Sequence, residues 1–172
     1  MTRVLLAGIG NIFRGDDGFG SAVATRLDAA DLPEQVEVGD YGIRGVHLAY
    51  QLLEGYDLVV LIDAVQRGAD PGTLRVIEHD VAAEPDEDAL TAMDAHDLSP
   101  DSVLALVRAF GGTLERVVVV GCEPETTEVG MGLSAAVQGA VDEAAAVATG
   151  LARAALERSE EEPCASAYPD GS

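Results

Sequence analysis

Apolar residues in this chain fall into two patterns that alternate along its length. Unbroken aliphatic runs occur at Val4-Leu5-Leu6-Ala7, Leu58-Val59-Val60-Leu61-Ile62 and Val117-Val118-Val119-Val120. A strand with no polar position is one covered on both faces, as in a parallel sheet. These runs predict strands over residues 3–7, 57–63 and 116–121, and a further strand is expected at 36–40. Between them the spacing is helical, giving expected helices over 19–30, 46–53 and 100–110 and a long Ala-rich helix over 135–157. One more strand, at 73–78, follows the turn Asp70-Pro71-Gly72. That connection is too short for a crossover helix, so this strand is expected to run antiparallel or at an edge. The sum is an α/β fold in three layers: a twisted, mostly parallel five-stranded sheet flanked by helices, with one antiparallel strand.

Local signals set several boundaries. Ser99-Pro100-Asp101 places Ser at the N-cap and Pro at the first helical position. Gly111-Gly112 ends that helix, and Gly55 is a left-handed stop after the helix at 46–53. Residues 80–98 are acidic, irregular and long for a connection, which marks a functional or mobile loop. The domain is read as 3–157, with a disordered acidic tail over 158–172.

Composition narrows the partners. Of 172 residues, 48% are apolar but only 4% aromatic, with no Trp, so the core must be aliphatic. Ten basic residues against 31 acidic ones leave a formal charge of −21. Such a field repels nucleic acid and anionic lipid, which argues against both as partners. No apolar run approaches the ~20 residues of a membrane span, and the two cysteines, Cys122 and Cys164, make no disulfide framework. A reduced, cytoplasmic protein is the expectation.

The candidate chemistry begins directly after the first strand, in Gly8-Ile9-Gly10-Asn11-Ile12-Phe13-Arg14-Gly15-Asp16-Asp17-Gly18. Glycine-rich loops of this kind cradle phosphate with backbone N–H groups. Asp16 and Asp17 would repel a phosphate and attract a cation instead. The third glycine of a dinucleotide fingerprint would fall where Phe13 stands, which argues against a nucleotide site. In open α/β sheets ligands bind beyond the carboxyl ends of the strands. Asp17 lies past strand one, Asp40 ends strand two, Asp63 ends strand three, and His96 lies in the long loop. Two carboxylates and an imidazole suit a first-row cation such as nickel or zinc, with a coordination position left open.

The residues also match a family pattern. Gly8-x-Gly10-Asn11 with Asp16-Asp17 and Gly20 comes first, then Asp40-x-Gly42-x-x-Gly45 and Ile62-Asp63-Ala64. His96-x-Leu98 and Pro124-Glu125 with Gly132-Leu133-Ser134 complete the order. In these segments the chain resembles the hydrogenase maturation proteases, endopeptidases that trim the C-terminus of the large subunit of nickel–iron hydrogenases. The resemblance implies that Asp17, Asp63 and His96 bind nickel and form the catalytic set. That nickel belongs to the substrate, so no permanently bound metal is expected. The implied partner is the large-subunit precursor, cut after nickel insertion. The family's first ligand is often Glu, where this chain has the shorter Asp17. Arg14, Asp40, Gly42 and Arg44, on loops at the same sheet edge, are candidates for substrate binding. A metal-bound water or a spare carboxylate could each supply the attacking base.

Two other classes stand beside this reading. One is a non-enzymatic nickel-binding chaperone using the same ligands; the other is a cysteine hydrolase with Cys122 as nucleophile and His96 as base. Cys122 in an aliphatic strand is more simply a small buried hydrophobe. The Asp16-Asp17 pair could serve only the helix dipole, and His47 and His79 have no motif support.

Overall fold

Each aliphatic run forms a strand closed to solvent on both faces. The computed structural model describes residues 1–83 and 98–161. Its strands are β1 (Val4–Ile9), β2 (Val36–Gly42), β3 (Leu58–Ala64), β4 (Leu74–His79) and β5 (Val117–Cys122). The helices are α1 (Phe19–Asp28), α2 (Gly45–Leu52), α3 (Pro100–Ala109), α4 (Ala135–Gln138) and α5 (Val141–Glu161). One sheet orders the strands β2-β1-β3-β5-β4, parallel except for β4, which pairs antiparallel with β5 at the edge. The expected fold class is therefore the observed one, including the antiparallel strand after Asp70-Pro71-Gly72.

Side-chain alternation divides the core in two. Val4 and Leu6, Leu58, Val60 and Ile62, and Val118 and Val120 face one side, under α1 and α5. Leu5 and Ala7, Val59 and Leu61, and Val117 and Val119 face the other, under α2 and α3. α1 links β1 to β2 on the first face, whereas α2 links β2 to β3 on the second. The chain thus leaves β1 in one direction and returns on its other side at β3. The crevice between the carboxyl ends of β1 and β3 is the point where strand order reverses, where α/β sheets place ligands.

Close backbone approach fixes α1 over this crevice. A Cβ on Gly20 would lie 2.2 Å from the Ile9 carbonyl oxygen and 2.3 Å from that of Ile62. Only glycine lets the helix touch both strands at their ends. Farther round, α3 starts as predicted. The Ser99 hydroxyl accepts from the Ser102 amide at 3.2 Å while the Ser102 hydroxyl accepts from the Ser99 amide at 2.9 Å.

The C-terminal helical region departs from the sequence reading in two ways. The single helix expected over 135–157 is two helices, because the chain tightens at Gly139 and Ala140, where Ala140 N–H bonds the Val137 carbonyl. Glycine is a poor interior residue and favours the break. The last helix continues to Glu161, so 158–161 belong to it rather than to a tail. No helix breaker stands between Glu157 and Glu161; the first is Pro163. Most of the loop over 80–98, and residues 162–172 of the tail, lie outside the described residues. Among the described residues no helix is long and apolar enough to cross a membrane.

Candidate active site

β1 delivers the chain to Gly10, whose φ of 121° only glycine adopts readily. A Cβ there would stand 2.1 Å from the Asp17 carbonyl oxygen and 3.4 Å from Asp63 Oδ1. Gly10 therefore sits between the two segments that carry the predicted carboxylates. Asp17 lies in a 3₁₀ turn, Gly15–Gly18, that packs on β3. Its Oδ2 accepts the Asn11 amide at 2.7 Å. Asp63 closes β3 and is 6% exposed. The third predicted ligand, His96, lies outside the described residues. Among those described, no group of three His, Cys, Asp or Glu side chains is arranged to hold a metal ion.

Asp16 has a different role from its neighbour. Its side chain is 0% exposed and accepts the amides of Glu125 at 2.8 Å, Thr126 at 3.2 Å and Ser134 at 2.7 Å, plus the Ser134 hydroxyl at 2.9 Å. Burial works to raise its pKa, but these bonds outweigh it and hold the carboxyl below its ordinary value. Asp16 thus ties the β1–α1 loop to the segment after β5 as a carboxylate accepting four hydrogen bonds. Backbone bonds extend the joint: Gly15 N–H to Gly130 O and Gly130 N–H to Phe13 O, both 2.8 Å.

The β2 side of the crevice is built from a bulge. Gly8 pairs with Asp40 but Ile9 with Gly42, leaving Tyr41 as the extra residue. Gly42 accepts the Gly10 amide at 2.9 Å. Asp40 Oδ1 accepts the Ser21 hydroxyl at 2.8 Å and the Gly42 amide at 3.2 Å. The guanidinium of Arg44 donates to the Asp40 and Tyr41 carbonyls at 2.5 and 3.2 Å, and Arg14 Nε to the Thr127 carbonyl at 3.2 Å. Both arginines are exposed and help to shape the loops that carry them.

Cys122 is 0% exposed, and burial, with Asp16 and Glu123 nearby, pushes its thiol up to about 11. A nucleophilic cysteine needs access and a depressed pKa, and Cys122 has neither. Glu123 went unmarked in the sequence. It is 4% exposed and accepts the amides of Arg67 at 2.8 Å and Gly68 at 3.0 Å, pinning the turn that follows β3. A carboxylate directly after a wholly buried strand was the available signal for it.

A sequence model described as hydrogenase maturation protease matches residues 22–151 of this chain. The chain belongs to the hydrogenase maturation protease family. It is 33% identical over 153 residues to the hydrogenase expression/formation protein HupD of Rhizobium leguminosarum bv. viciae, covering 88% of this chain and 74% of that one. A putative hydrogenase maturation protease of Methanocaldococcus jannaschii is 32% identical over 151 residues, covering 86% and 94%. Among solved structures, the hydrogenase maturating endopeptidase HybD of E. coli superposes with a TM-score of 0.70 at 26% identity, covering 89% of this chain and 93% of that one. The hydrogenase 2 maturation peptidase of a Thaumarchaeota archaeon gives 0.67 at 31% identity, covering 88% and 98%. Family membership supports a peptidase. The residues matched by that model begin at 22, past the Asp16-Asp17 loop.

Proposed function

We propose that this hydrogenase maturation protease removes the C-terminal peptide from a nickel–iron hydrogenase large-subunit precursor after nickel has been inserted. Asp17, Asp63 and His96 engage the nickel held by the substrate. The observation that carries this reading is the meeting of the Asp17 and Asp63 segments at Gly10, in the crevice where strand order reverses. Two carboxylates are fitting donors for a divalent ion whose remaining ligands come from elsewhere. Nickel there supplies Lewis-acid polarisation of the scissile carbonyl. Around it, the chain's own residues orient the peptide and receive a proton from the attacking water. The water oxygen bonds to the carbonyl carbon, the C–N bond breaks, and the proton passes to the departing amine. In this reading a carboxylate oxygen relays it.

The test is to incubate the purified protein with its large-subunit precursor, with and without nickel, and weigh the products by mass spectrometry. Loss of the C-terminal peptide from the nickel-loaded form alone is the expected result. Equal cleavage of both forms refutes nickel recognition. Stable binding of the loaded precursor without cleavage assigns the chain a chaperone role instead.

A further inference from the structure

We infer that an apolar track, leading from the crevice rim along the outer face of α2, is the surface on which the folded body of the precursor docks; this rests on the protease reading above. The track starts at a groove of about 240 Å³ beside the catalytic segments, where Ile12, Phe13, Tyr41 and Ile43 form the apolar wall and Asp40 and Arg44 the charged one. From Ile43 it passes to Val46, Tyr50 and Leu53, which recur at helical spacing on one face. It ends where the Tyr50 ring stacks on Phe110, centroids 5.0 Å apart and planes 21° from parallel. Phe13, Ile43, Val46, Tyr50, Leu53 and Phe110 are all exposed, Tyr50 by 58%. The opposite face of α2, Leu48, Ala49 and Leu52, is buried in the core, so the exposed face is not needed for folding.

Charge sets this face apart. The molecule carries −21, and α1, α3 and α5 each bear acidic and basic side chains, yet α2 has no Asp, Glu, Lys or Arg. A partner settling on the Val46, Tyr50 and Leu53 face covers no ionised side chain of α2 itself, and removing charge from water without pairing it is costly. Interface centres are depleted of charge and enriched in aromatic anchors in the same way. The stacked Tyr50–Phe110 pair is a platform already ordered before binding. Continuity identifies the occupant. Asn11 forms part of the groove wall and donates its amide to Asp17 Oδ2, and Gly10 stands between Asp17 and Asp63. A polypeptide that lies in the crevice and leaves it on the β2 side passes over Ile43, which lines the adjoining groove. The helix adds about 12 Å to the path at 1.5 Å per residue, which reaches beyond the cleaved segment to the body of the substrate. The matching surface on that body is apolar and uncharged.

Steady-state processing of the nickel-loaded precursor tests the assignment with Val46→Asp, Tyr50→Asp and Tyr50→Phe. Val76→Asp, on the exposed edge strand β4, is the control. The two α2 aspartates should each raise KM at least tenfold with kcat held within twofold, while Tyr50→Phe and Val76→Asp match the wild type. Thermal melts check folding, and Tyr50→Ser replaces Tyr50→Asp if the latter does not fold. Wild-type KM in both aspartate variants overturns the docking track and leaves the protease reading intact. A fall in kcat alone overturns it too, since a remote dock acts on binding. Sedimentation that finds a wild-type dimer, dissolved by Tyr50→Asp, assigns the face to a second copy and also overturns it. Failure of the wild type to cleave any precursor removes the protease reading and this inference together.

Discussion

Asp16 and Ser134, 118 positions apart in sequence, are joined twice, through the Ser134 amide at 2.7 Å and its hydroxyl at 2.9 Å. The two adjacent aspartates thus make different bonds: Asp16 locks the loop to the segment after β5, whereas Asp17 accepts the Asn11 amide within the loop. Asp16→Ala leaves buried amides without an acceptor and should cost about 2–4 kcal/mol of stability. Ser134→Ala removes one bond and should cost only about 1 kcal/mol. Urea denaturation with an unchanged midpoint for Asp16→Ala would refute that lock.

The same lock has a pH signature. A carboxyl whose folded pKa is lowered stabilises the fold above its unfolded value, about 3.9, and loses that contribution as pH falls through the folded value. Asp16 is such a group. The stability gap between wild type and Asp16→Asn should stay flat from about pH 8 to 5 and close below about pH 4. A gap that instead widens in acid shows that Asp16 is protonated in the native state.

Asp17→Asn, Asp63→Asn and His96→Ala should each leave the precursor with its C-terminal extension. Each substitution weakens a proposed contact to a metal whose polarising effect is worth several kcal/mol in the transition state. Asparagine preserves the shape of both carboxylates, so the melting temperature should move little. The mass of the large subunit after incubation reads the outcome, and full processing by any of the three removes that residue from the site.

Cys122→Ala should process the precursor within a few-fold of the wild-type rate, because loss of a true nucleophile costs several orders of magnitude. Iodoacetamide should not label Cys122 in the native protein, in keeping with a buried thiol raised to about 11. A folded but inactive alanine variant would promote the cysteine.

Gly10→Ala tests the crevice without touching a charge. Its φ of 121° disfavours any side chain by about 1–2 kcal/mol, and the new methyl would meet the Asp17 carbonyl 2.1 Å away. Reduced stability and loss of processing are expected together. Normal activity in this variant means that Asp17 and Asp63 do not need their present spacing.

The aliphatic strands, the edge strand after Asp70-Pro71-Gly72 and the Ser99 cap were legible because each is a local signal: a run, a turn too short for a helix, a capping side chain. The placement of Asp17 and Asp63 at the carboxyl edge followed from the strand ends alone. Two things were not legible. The break at Gly139 lay inside an Ala-rich stretch whose composition favours continuous helix. The separate duties of Asp16 and Asp17 depend on Glu125, Thr126 and Ser134, which only the folded chain brings to Asp16. Adjacent identical residues give a sequence no means of telling which one the rest of the fold will anchor.

That long-range lock bears on when the protein becomes competent. Asp17 and Asp63 both precede the anchor in the chain, and the loop carrying Asp17 completes that anchor only when Ser134 follows Glu125, Thr126 and Gly130. At roughly 5–20 residues per second, the ribosome needs several further seconds to pass from that loop to Ser134. A nascent or prematurely terminated chain therefore displays both carboxylates without a fixed geometry between them. A fixed geometry between the two carboxylates awaits the arrival of Ser134.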